Sequence, residues 1–132
     1  MNLEYDQFCF ACGRENPIGL KLAFGWADER LTCEFTPNTE HQGWKDVTHG
    51  GIISTVLDEC IVHAAIRKSG RMSVTAEMTV RFMAPLLTGQ KVLVTARADE
   101  PGRRLITASA RMVRLTDGVE IAHATAKLIV QD

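Results

Sequence analysis

The sequence predicts an α+β protein in which one long helix packs against a curved antiparallel sheet of about six strands. Apolar and polar residues alternate in short segments, as in strands with one buried face. One segment, residues 52 to 69, lacks proline and glycine and carries apolar residues at helical spacing on more than one face. A sheet curled around a single helix is the simplest arrangement that buries both.

The strands and the helix follow one another in a simple order. Two alternating segments, joined by a turn at Asp28-Glu29, precede a polar loop at residues 37–48. The helix then runs to Gly70, after the basic residues Arg67 and Lys68. The predicted strands are residues 19–26, 31–35, 74–82, 92–98, 103–115 and 119–130. We expect one domain over residues 1–132, with a leader at 1–18 and a fold core at 19–130.

Composition excludes several classes of protein. The 132 residues carry a net charge of −1 with both signs interspersed, so a nucleic-acid partner is not expected. No apolar segment approaches the roughly 18 residues of a membrane span, and the N-terminus lacks the pattern of a signal peptide. We therefore expect a cytoplasmic protein with no membrane partner, whose four cysteines are thiols.

The tetrapeptide Thr48-His49-Gly50-Gly51 opens the helix. The first N–H groups of a helix have no acceptor inside it and carry partial positive charge. Glycine lets a ligand oxygen approach these groups closely, as in an oxyanion hole or a phosphate site. The alternative is a glycine pair that only serves a tight turn into the helix.

Asp58 is a carboxylate in the middle of an apolar helix, where burial without a role is costly. We expect Asp58 to be catalytic and its neighbour Glu59 to be solvated; the alternative is a carboxylate with a purely structural partner. Asp58 lies eight residues beyond Gly50, or roughly 12 Å along the helix axis. Because one helix cannot supply both groups to one site, we expect a homodimer in which each site takes Gly50 from one subunit and Asp58 from the other.

Cys9 and Cys12 form a C-x-x-C pair in the leader. A zinc site needs two further ligands, and the isolated Cys33 and Cys60 do not form a second pair. His63 is interpreted as a structural histidine. We therefore expect no metal and no cofactor, with Cys9 and Cys12 as small, partly buried thiols in a leader that folds back on the sheet.

Three segments resemble one family. "HGGIISTVLD" resembles the H-G-G-x-x-x-x-x-x-D motif of hot-dog-fold acyl-CoA thioesterases of the phenylacetate-pathway (PaaI-like) type. "TAEMTVRFMAPLLTG" is similar to the strand after the helix in this family, and "CFACGRENPIGLKL" to a leader found in bacterial members. The resemblance implies the hot-dog fold and hydrolysis of an acyl-CoA substrate, and we expect the homodimer to assemble into a tetramer.

The resemblance also implies roles for particular residues. Gly50, with Gly51 beside it, would polarise the thioester carbonyl, and His49 would orient the turn. Asp58 would attack the carbonyl or activate a water, and Thr75 would help to hold that water.

Further residues would bind the substrate. Relatives carry an asparagine or glutamine at the position where this chain has Gly43. We expect the adjacent Gln42 to make the polar contact of that residue instead. The remaining predicted substrate-binding residues are Phe82, Gly102, Arg103 and Arg104.

Two other functions are compatible with the sequence. A hot-dog dehydratase or hydratase would share the fold but relies on a histidine–acid arrangement that this sequence does not show. A non-catalytic protein that binds acyl-CoA or a related metabolite would share both the fold and the ligand. Turnover of a panel of acyl-CoAs separates the three.

Overall fold

The computed structural model describes residues 2–131 as one helix and six strands. The strands are β1 (Gly25–Ala27), β2 (Arg30–Phe35), β3 (Ser73–Phe82), β4 (Val92–Ala98), β5 (Leu105–Arg114) and β6 (Glu120–Val130), and the helix is α1 (Gly50–Ser69). A single 3₁₀ turn, Thr39–His41, interrupts the loop between β2 and α1. The order of elements confirms the predicted α+β class.

The strands form one antiparallel sheet with the order β1-β2-β4-β5-β6-β3. Side chains alternate between buried and exposed along β2, β4 and β5, as the sequence pattern predicts. Among the described strands, β3 pairs only with β6 and forms one edge of the sheet. The strand that follows the helix therefore has one side available for pairing.

Helix α1 lies against the sheet and is buried on more than one face. Its buried residues are Ile53, Val56, Leu57, Cys60, Ile61, Ala64 and Ala65. The helix ends where predicted, because Gly70 adopts the left-handed conformation (φ 71°) and donates its N–H to the carbonyl of Ile66. No helix within residues 2–131 combines the length and apolar character needed to cross a membrane.

The prediction of a strand over residues 19–26 is wrong for most of that segment. Lys21 has a positive φ of 54°, which interrupts the extended conformation. The N–H groups of Leu20 and Leu22 donate to the carbonyls of Phe10 and Ala11 in the leader, and β1 begins only at Gly25. Alternation indicates one buried face but not the segment that accepts the backbone hydrogen bonds.

Candidate active site

In the described structure, the first turn of α1 leaves one backbone donor free. His49 is the N-cap, and its Nδ1 accepts the N–H of Gly51 at 2.8 Å. The carbonyl of His49 accepts the N–H groups of Ile52 and Ile53. Within residues 2–131 the N–H of Gly50 has no acceptor. Gly50 is thus the member of the glycine pair that can donate to a ligand, while Gly51 is engaged by His49.

The surroundings of Gly50 leave room for a ligand. A methyl group on Gly50 would lie 3.4 Å from Cζ of Phe82, so the phenyl ring lies directly beside this residue. On the loop side, a cleft of about 490 Å³ runs past Thr48, His49 and Gly50. Trp44 also lines this cleft and is 86% exposed. Trp44 was not among the residues predicted from the sequence, although tryptophan is a residue type enriched at interfaces.

Asp58 and Thr75 form the second half of the candidate site. Thr75 Oγ1 donates to Asp58 Oδ1 at 2.7 Å. The pairing of β3 with β6 shifts register between Thr75 and Glu77, which marks a β-bulge. A bulge changes the direction of the side chains beside it, and here Thr75 meets the middle of α1. The structure therefore brings together two of the predicted site residues that lie 17 positions apart.

The environment of Asp58 disfavours its charged form. Burial raises the pKa of Asp58 above the ordinary value of an aspartate, the hydrogen bond from Thr75 opposes this shift, and the charge of Glu59 adds to it. A partly buried carboxylate with a raised pKa is a common feature of catalytic sites.

A single subunit does not bring all of the predicted residues together. Eight residues separate Gly50 from Asp58, which corresponds to about 12 Å along the helix.

Gln42 accepts the N–H of Asp46 through its Oε1 at 3.0 Å, so this side chain closes the loop.

The hairpin that carries Gly102, Arg103 and Arg104 lies at the opposite end of the helix from Gly50. Arg71, next to the helix C-terminus, donates to the carbonyls of Gly102 at 2.6 Å and Arg103 at 2.8 Å. These hydrogen bonds fix the hairpin at the C-terminal end of the helix. The hairpin is therefore remote from Gly50 of the same chain.

A second group of polar side chains lies on a neighbouring face of α1. Cys9 Sγ donates to Glu59 Oε2 at 3.2 Å, and His63 Nε2 lies 3.0 Å from Glu59 Oε1. The prediction that Glu59 is solvated is wrong, since its side chain is only 15% exposed. The leader covers Glu59, and both of its thiols donate to this helical carboxylate. Cys9 is partly buried and Cys12 is buried, as predicted.

The chain is similar to known proteins over most of its length. Residues 46–121 match the model of the family described as the thioesterase superfamily. The mouse protein named acyl-coenzyme A thioesterase 13 is 29% identical over 98 residues, which cover 74% of this chain and 70% of that protein.

Two solved structures show the same fold. Zebra fish thioesterase superfamily member 2 superposes with a TM-score of 0.81 at 21% identity, covering 91% of this chain and 90% of that one. A Streptococcus mutans protein solved bound to acetyl-CoA gives a TM-score of 0.79 at 18% identity, covering 89% and 94%. The family match covers more than half of the chain and includes the helix that carries Gly50 and Asp58. The chain belongs to the thioesterase superfamily.

Proposed function

We propose that this protein is a thioester hydrolase that cleaves an acyl-CoA to the free acid and CoA. One observation carries the proposal. In this member of the thioesterase superfamily, helix α1 has an N–H at Gly50 with no acceptor among residues 2–131 and a hydrogen-bonded carboxylate at Asp58. The name of the mouse relative and the acetyl-CoA bound to the S. mutans protein support the same substrate class.

The chemistry follows from charge development at the thioester carbonyl. Attack on this carbon places negative charge on its oxygen, and the N–H of Gly50 at the positive end of the helix stabilises that charge. Asp58 either attacks the carbon itself or removes a proton from an attacking water. Thr75 holds the carboxylate in position in both cases. The carbon–sulfur bond then breaks, CoA leaves as the thiol, and one water molecule is consumed overall.

A dimer with shared sites satisfies the spacing of these groups. A donor and a base must both lie about 3 Å from the reacting group, whereas Gly50 and Asp58 of one helix are separated by about 12 Å. A two-fold axis that places two α1 helices side by side brings Gly50 of each copy near Asp58 of the other. The edge strand β3 supports this arrangement, because Val74 and Phe82 on it and the following Met83 are exposed apolar residues. We propose that two such dimers form a tetramer in the cytoplasm.

The substrate contacts complete the proposal. Phe82 lies beside the carbonyl site, and Gln42 shapes the loop that borders it. The hairpin at Gly102, Arg103 and Arg104 provides two exposed guanidinium groups that bind the phosphates of CoA held by a neighbouring copy.

The activity is tested by measuring thiol release from a panel of acyl-CoAs. Asp58→Asn retains the size of the side chain and an oxygen that accepts from Thr75, so the fold should persist while turnover falls by roughly 10²- to 10⁴-fold. Asp28→Asn is a matched control, because Asp28 is exposed in the turn between β1 and β2 and asparagine tolerates its positive φ of 53°. Turnover of Asp58→Asn at the level of this control would contradict the proposed role.

The shared site is tested by complementation between two inactive variants. Gly50→Pro removes the carbonyl donor, and Asp58→Asn removes the base. A purified heterodimer of the two contains one site with both lesions and one intact site, so it should recover about half of the wild-type activity. A heterodimer as inactive as its parents would show that each site lies within one chain.

A further inference from the structure

The leader and the helix together form a cluster of four potential metal ligands. We refer to Cys9, Cys12, Glu59 and His63 as the thiol cluster. The ligand atoms of its first three members all lie within 4.8 Å of one another. His63 Nε2 lies 3.8 Å from Cys12 Sγ and 3.0 Å from Glu59 Oε1. We propose that the thiol cluster is a structural zinc site that fastens the leader to the helix.

Four separations between these atoms are close to those around a tetrahedral zinc ion. Zinc bonds of roughly 2.3 Å to sulfur and roughly 2.1 Å to nitrogen or oxygen place neighbouring ligand atoms about 3.4–3.8 Å apart. Cys9 Sγ lies 3.2 Å from Glu59 Oε2, whereas Cys12 Sγ and His63 Nε2 lie 3.8 Å and 3.0 Å from the other oxygen, Oε1. Cys12 Sγ and His63 Nε2 are 3.8 Å apart. Each separation is within a few tenths of an ångström of a tetrahedral value, and metal binding requires a rotation of Glu59 that presents one oxygen to all three partners.

The backbone positions both halves of the thiol cluster. Gly13 donates its N–H to the carbonyl of Cys9 at 2.8 Å, which closes a tight turn between the two thiols. A side chain at Gly13 would lie 2.5 Å from the backbone of Cys9, so only glycine fits. On the helix, Glu59 and His63 are four residues apart and therefore lie on the same face.

The surroundings favour a structural site over a substrate-binding one. His63 stacks on Phe24, with ring centroids 4.3 Å apart, which restricts the orientation of the imidazole. The hydroxyl of Tyr5 donates to the carbonyl of Cys12 from the other side. A site with four protein ligands has no open position, as in structural zinc sites generally.

The donor set selects the class of metal. Thiolate and imidazole ligands favour zinc over magnesium or calcium, which prefer oxygen ligands. Zinc displaces the thiol protons to solvent when it binds.

The proposal is tested with zinc alone and without any acyl-CoA, so its outcome is independent of the proposed hydrolase activity. Protein expressed with added zinc and passed through a desalting column should contain one zinc ion per chain by elemental analysis. Cobalt introduced in place of zinc should give the intense visible bands of a tetrahedral thiolate site. We expect Cys9→Ser, Cys12→Ser and His63→Gln each to weaken zinc binding by at least about 100-fold, as measured by competition with a chromogenic chelator.

Cys33→Ala is the matched control, because it removes a buried thiol outside the thiol cluster. This variant should retain the full zinc content. Wild-type protein that binds no zinc after reconstitution would overturn the proposal even if the leader variants fail to fold. Retention of one zinc ion per chain by the Cys9→Ser/Cys12→Ser double variant would overturn it as well.

Discussion

Replacement of Gly50 by proline removes the one donor of the first helical turn that has no acceptor among residues 2–131, and it changes little else. Gly50 is the first residue of α1, a position where proline is common because its missing N–H costs no helical hydrogen bond. The preceding residue must be extended before a proline, and His49 already has φ −63° and ψ 134°. The helix should therefore form normally in Gly50→Pro.

The expected loss of activity follows from the hydrogen bonds of this turn. The N–H of Gly51 is held by the side chain of His49, and those of Ile52 and Ile53 by its carbonyl. Within the part of the chain that the structure describes, no other N–H of this turn is free to replace that of Gly50. Loss of a single donor to a developing oxyanion reduces kcat by roughly 10²- to 10³-fold, or about 3–4 kcal/mol.

Gly50→Ala is the control that distinguishes loss of the N–H donor from crowding by an added side chain. Alanine retains the N–H, and its methyl group would lie 3.4 Å from the Phe82 ring, an ordinary van der Waals contact. Steady-state thiol release from an acyl-CoA should show Gly50→Ala within about 10-fold of the wild type and Gly50→Pro at least 10-fold lower still. Circular dichroism should show equal helix content in both. Equal losses in the two variants would mean that crowding, not the missing donor, impairs catalysis.

Three further predictions concern stability, positioning and the leader. His49→Ala removes the N-cap acceptor and should cost about 1 kcal/mol, which lowers Tm by roughly 3–5 °C in a thermal melt. Thr75→Val retains the shape of the side chain but removes the hydrogen bond to Asp58, and kcat should fall by roughly 10- to 100-fold with little change in KM. Gly13→Ala forces the leader turn open, and the buried Cys12 should react with a thiol-alkylating reagent at least about 10-fold faster.

Each of these predictions has a result that would contradict it. An unchanged Tm in His49→Ala would show that water caps the helix equally well. A rise in KM at constant kcat in Thr75→Val would assign the hydroxyl to substrate binding. An unchanged alkylation rate in Gly13→Ala would show that the turn accommodates a side chain.

Much of the fold could be predicted because its signals are local. The helix extends from its histidine cap to the left-handed Gly70, and the sequence contains both of these boundaries. The later strands also match their predicted spans closely, because alternation with a period of two residues is a property of each segment alone. Residues 20–24 could not be placed correctly, because their backbone partners are in the leader rather than the sheet.

The candidate site was predictable to a similar extent. Gly50 and Asp58 stood out because glycine at a helix N-terminus and a carboxylate in an apolar helix are both unusual within their own segments. The hydrogen bond between Thr75 and Asp58 depends on a bulge in β3, which the alternation pattern does not reveal. The imidazole of His49 accepts the N–H of Gly51 and not that of Gly50, and this choice depends on the orientation of one ring.

The sequence by itself determined the elements, their order and the chemistry available on the helix, because capping and periodicity act over a few residues. It also showed that the leader contains two cysteines three positions apart. Only the tertiary structure decided what those cysteines face. Glu59 and His63 lie about fifty positions further along the chain, and only the docking of the leader on the helix brings the four side chains together.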